Sequence, residues 1–157
     1  MKFEYFGYGA NKDIDMIKAI TGTYLFGKCA YIEGYKLGVQ KLDNIPEIPQ
    51  NQLNKFWSDK GFESYVVIKS DNEKDRVYGT LWTMSENDRE CVREWELIPL
   101  GWYTEVPVTA ILENGIEVQA VTEIIIGQSV DRLVEGKNYP AYLINKNIIL
   151  KHAEDVR

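Results

Sequence analysis

The chain has 157 residues, 45% hydrophobic and 27% charged, which suits one globular domain around one core and excludes a disordered polymer. A formal net charge of −6 withholds the basic face that a general nucleic-acid binder needs, and it also argues against adhesion to anionic membranes. Two distant cysteines, Cys29 and Cys91, and a single histidine, His152, leave no disulfide framework, no Cys–His or Ser–His–Asp constellation and no clustered zinc ligands.

The first residues carry no apolar signal region, and no run of 18 apolar residues occurs. A cytoplasmic protein with reduced thiols is therefore expected. Residues 3–8 read as a strand closed by Gly7 and Gly9. Asn11 is placed to cap a helix over about residues 12–20, with Ile14, Ile17 and Ile20 on one face and Gly22 as its stop. Residues 29–40 read as one strand bent at Gly34 and Gly38. Pro46 and Pro49 interrupt the segment 43–62, which reads as a loop with a short helix near 50–57, either a lid or a packing insert.

Residues 63–69 and 76–83 read as strands joined by a polar turn. Ser85-Glu86-Asn87-Asp88 has the form of a capping box, so a helix should run from there to about Trp95. Val106, Val108, Ala110 and Leu112 alternate into Asn114-Gly115, and Ile116, Val118 and Ala120 alternate out of it. That pattern predicts a hairpin with both turn residues at positive φ, and Pro107 marks an edge position or a bulge at the start of that strand. The stretch 138–154 should hold one or two short helices, with Pro140 in a first turn. Strands with helices inserted, but no regular βαβ alternation, predict an α+β fold: a curled mixed sheet or small barrel with helices packed outside.

Two features carry chemistry. On a helical wheel at 100° per residue, Glu96 falls within about 40° of Val92 on the face shared with Trp95 and Asp88, while Glu90 and Glu94 fall opposite. A carboxylate on a core-facing stripe is costly unless it is paired or lines a pocket. Pocket burial would raise its pKa toward the range of a general acid/base; fraying of the helix end, or a pair with Arg89, is the ordinary alternative. The loop Tyr8-Gly9-Ala10-Asn11 leaves a strand and enters a helix, a geometry whose backbone N–H groups can hold an anion, or simply turn the chain.

In order and spacing these segments resemble the γ-glutamylcyclotransferase-like (AIG2-like) family. Phe6-Gly7-Tyr8-Gly9-Ala10-Asn11 is similar to its Tyr-Gly-Ser-Asn loop, and Val77-Tyr78-Gly79-Thr80-Leu81-Trp82 to its Val-x-Gly strand. Glu96 followed by Gly101-Trp102-Tyr103 is similar to its catalytic Glu and Gly-x-Tyr, Gly34-Tyr35-Lys36-Leu37 to its second strand, and Pro140-Ala141-Tyr142-Leu143 to its closing segment.

The resemblance implies one domain over 1–157, a small mixed β-barrel with surrounding short helices, and an amide-cleaving cyclase that needs no metal or cofactor. It implies that Glu96 is the general acid/base. Tyr8, Gly9, Ala10, Asn11 and Tyr103 would bind a small-molecule γ-glutamyl substrate, with no nucleic acid or membrane as partner. The products would be 5-oxoproline and an amino acid or amine. Ala10 stands where the family has Ser, and Thr122 lies where cyclotransferases place a substrate-binding Tyr. A non-catalytic ligand-binding module on the same fold is the alternative.

Overall fold

The computed structural model describes residues 2–157. In chain order it contains β1 (Lys2–Gly7), α1 (Ile14–Thr21), β2 (Gly27–Glu33), β3 (Tyr35–Lys41), α2 (Glu47–Trp57), β4 (Glu63–Lys69) and β5 (Arg76–Ser85). Then follow α3 (Glu86–Trp95), β6 (Thr104–Leu112), β7 (Glu117–Ile124), β8 (Arg132–Val134) and α4 (Lys146–Val156). Strands β1, β5, β2, β6 and β7 close into a mixed barrel in that order. Closure is made by a parallel contact of β1 with β7, Tyr5 opposite Val121, while the other barrel neighbours run antiparallel. A second, three-stranded sheet has the order β4–β3–β8.

Alternation along the strands sorts the apolar residues into two cores. Phe6, Ala30, Ile32, Val77, Leu81 and Ala110 belong to one. Tyr5, Trp82 and Met84, on the opposite face of the same strands, join Met16, Ile17, Trp57, Val92 and Ile149 from the helices. Strand β1 is thus covered on both faces: Tyr5 and Phe6 are both fully buried.

Several expectations are met locally. The Ser85 hydroxyl accepts from the Asp88 N–H at 3.1 Å and the Asp88 carboxylate from the Ser85 N–H at 3.2 Å, the reciprocal capping box. Replacing Ser85 with Ala should cost about 1 kcal/mol, read as a lower urea midpoint at unchanged m-value. Gly22 ends α1 in the left-handed region. Pro107 sits on a stretch of β6 whose pairing to β2 is confined to Ile111 and Leu112, so its missing N–H breaks no ladder there.

Other expectations are corrected. Residues 29–40 are two strands in two different sheets, parted at Gly34. The helix in 43–62 starts at Glu47, because Pro49 falls in its first turn, where no intrahelical N–H bond is lost. Of the three isoleucines of α1, Ile14 is 44% exposed, and Met16 fills the core beside Ile17 and Ile20.

The hairpin is real, but Gly115 alone of its turn residues has positive φ (86°), with its N–H on the Leu112 carbonyl. A three-residue loop with glycine in the left-handed position replaces the expected two-residue turn. Pro140 lies in an irregular segment; α4 begins later, where the Asn145 side chain accepts from the Ile148 N–H. No helix among the described residues is long and apolar enough to cross a membrane.

Candidate active site

The loop after β1 is tightly held. Gly9 has φ +60°, and a Cβ there would stand 2.7 Å from the Tyr65 ring, so neither the backbone nor the space admits a side chain. The Gly9 N–H donates to the Tyr139 hydroxyl at 3.1 Å and the Asn11 N–H to the Tyr8 carbonyl. The Trp82 indole N–H donates to the Asn11 carbonyl at 2.8 Å. Among the described residues no acceptor meets the Ala10 N–H.

Asn11 is not the helix cap: Asp13 takes that place, without a side-chain bond. The Asn11 amide turns inward instead, and its Nδ2 donates to Tyr5 Oη at 2.9 Å and to Glu96 Oε1 at 2.8 Å. Donating to two buried oxygens outweighs accepting a single N–H as a helix cap.

Helix α3 delivers Glu96 from the other side. Its box fixes the start, Val92 is fully buried, and Glu96, the C-cap, is 8% exposed with its N–H on the Val92 carbonyl. The wheel's sorting holds: Asp88, Val92 and Glu96 are buried, Glu90 and Glu94 exposed. The next residue, Leu97, has φ 53°, the one positive value outside glycine among the described residues. A branched side chain in that region costs on the order of 1 kcal/mol, a local strain that turns the chain off the helix immediately after the buried acid. Arg89 does not pair with Glu96; it is fully buried and its guanidinium Nε donates to Glu105 at 2.7 Å.

Tyr8, Ala10, Asn11, Glu96 and Tyr103 line one cavity of about 210 Å³. Gly9 does not line it; its contribution is the shape of the loop. The Tyr103 hydroxyl donates to the Tyr65 carbonyl at 2.6 Å and lies 3.0 Å from Ser64 Oγ.

A second buried acid adjoins the first, and the sequence reading did not single it out. Glu123 on β7 is 2% exposed. Its Oε1 accepts from Tyr5 Oη at 2.5 Å, while its Oε2 has no partner among the described residues. Glu96, Asn11, Tyr5 and Glu123 therefore form one hydrogen-bonded chain. Burial raises the Glu96 carboxyl well above its usual range and the charge of Glu123 adds to that, against the pull of Asn11 and Arg89. Burial pushes Glu123 up to about 7, against Arg89 and the Tyr5 hydroxyl. Near neutrality the pair resists holding two negative charges at once.

No family model matches the chain, and no curated protein matches it. Solved structures do. A γ-glutamyl cyclotransferase is similar over 83% of this chain and 70% of its own, with 17% identity and a TM-score of 0.65. An uncharacterized protein from Homo sapiens matches over 82% of this chain and 69% of its own, with 18% identity and a TM-score of 0.64. An AIG2-like protein from Mus musculus matches over 88% of both chains, with 12% identity and a TM-score of 0.57. The fold is γ-glutamylcyclotransferase-like.

Within this γ-glutamylcyclotransferase-like fold, three other residues weighed from the sequence find their places. Thr122 is fully buried, with its hydroxyl donating to the Phe6 carbonyl at 2.7 Å, and so serves the barrel. Cys91 is half-buried, and burial raises its thiol, the opposite of what a nucleophile needs. His152 lies among aromatic rings on the cavity lining.

Proposed function

We propose that the protein cyclises a γ-glutamyl amide to 5-oxoproline and releases the amine, with Glu96 as general acid/base. One observation carries this reading: a buried carboxyl of raised pKa, tethered by Asn11, facing the same cavity as the glycine loop. The Ala10 N–H is a loop donor free to meet the substrate α-carboxylate, and the ring of Tyr103 bounds the glutamyl chain.

In the ionised form Glu96 takes a proton from the α-amino nitrogen as that nitrogen attacks the γ-carbonyl carbon. The new N–C bond closes a five-membered ring. The old C–N bond breaks as Glu96 hands its proton to the departing nitrogen. From ammonium to lactam the attacking nitrogen gives up two protons, and from amide to ammonium the leaving nitrogen gains two, so no water or other co-reactant enters. Because nucleophile and carbonyl share one molecule, folding the chain into an attack geometry supplies much of the acceleration.

The test is a panel of γ-glutamyl amino acids and γ-glutamyl amines incubated with the protein, with 5-oxoproline measured by chromatography. Release from at least one amide is the expected result. Binding of panel members without any 5-oxoproline would replace the cyclase with a ligand-holding module on the same fold.

A further inference from the structure

We infer that the group released is an amine whose substituent is apolar, aromatic or branched and carries no carboxylate, and not a free amino acid; this deepens the cyclase reading above and rests on it. The cavity does not end at Glu96. Its lining also takes in residues of α2 and α4, with half-buried Phe56, Trp95, Tyr142 and Leu143 beside buried Trp57 and Ile149. His152 lies flat on Phe56, centroids 4.0 Å apart and planes 9° apart, and meets the Trp57 and Trp95 rings edge-on at 5.3 and 5.5 Å. Burial lowers its pKa, so this wall carries an uncharged imidazole at neutral pH.

Charge along the cavity points the same way. The lysine on its lining is Lys55, exposed at the rim with its Nζ on Gln52 Oε1 at 3.2 Å. The acids on the lining are Glu63, Glu94, Glu96 and Glu123. An amino acid leaving group carries its carboxylate on the carbon next to the scissile nitrogen. That places a negative charge close to Glu96, where the wall is aromatic and acidic and, among the described residues, the one lining cation is Lys55 at the surface. Removing an unpaired charge from water is costly, whereas aromatic walls reward an apolar side chain. The helix that supplies Phe56 and Trp57 is α2, so the segment 43–62 shapes the subsite that would choose the amine.

The experiment compares kcat/KM for γ-glutamyl-phenethylamide with that for γ-glutamylglycine, whose leaving amines have similar basicity, using 5-oxoproline release by the unaltered protein. The phenethylamide should be favoured by roughly 10–100-fold. Phe56→Ala should narrow that ratio about tenfold. Should that variant fail to fold, the ratio for the unaltered protein still decides. Equal or faster turnover of γ-glutamylglycine overturns this inference and leaves the cyclase standing. No 5-oxoproline from any amide overturns the cyclase reading, and this inference with it.

Discussion

Glu96→Gln should reduce 5-oxoproline release by roughly 10²–10⁴-fold, the range that a positioned general acid/base contributes. The substitution keeps shape and keeps an oxygen acceptor for the Asn11 amide, so the 2.8 Å hydrogen bond survives. What is lost is the ability to take and return a proton. Burial already disfavours the charged form of Glu96, so the neutral amide should fold at least as well above neutral pH. Circular dichroism and a urea titration on the same samples separate loss of chemistry from loss of fold. Activity within a few-fold of the parent would remove Glu96 from the mechanism.

The parts legible in the sequence are those in which neighbours along the chain determine the outcome. The capping box at Ser85 and Asp88 and the hairpin around Asn114-Gly115 are local chemistry, and each lies where its pattern put it. The inward aim of Glu96 follows from helical periodicity against Val92. What was not legible depends on distant strands. Strand β8 has three residues and exists by pairing with β3, Val39 opposite Arg132. No pattern that short announces itself. Asn11 looked like a cap because a short polar residue before a helix usually is one; its true acceptors come from β1 and from α3, 85 positions away.

Glu123 was missed for a related reason. Strict alternation gives a strand one wet face, and an acid there looks ordinary. Strand β7 pairs with β1 and its end is covered, so that face is dry. The available signal was composition: a lone acid inside Val121-Thr122-Glu123-Ile124-Ile125-Ile126, where nothing else ionises.

That acid makes Glu123→Gln the second informative variant. In the folded chain Glu123 titrates at about 7, against 4.5 for an unperturbed Glu. Between those values the folded state holds the proton more tightly than the unfolded state, so stability is full below pH 4.5 and falls as pH rises through 7. At pH 8 the ionised, buried carboxylate should cost on the order of 3 kcal/mol. Glutamine retains the oxygen that accepts from Tyr5 and removes that cost, so the variant should gain stability at pH 8 and almost none at pH 4. Urea midpoints at both values test this.

Activity should respond separately. The charge of Glu123 helps to hold the Glu96 carboxyl high, and Glu96 must be ionised to accept the first proton. Without that charge, the acid limb of the kcat/KM profile should move to lower pH. A purely structural role for Glu123 would lower the whole profile and leave its limb in place. Glu123 bears on Glu96 by its charge and is joined to it through Tyr5 and Asn11, so a displaced limb would identify it as a residue that sets the proton affinity of Glu96.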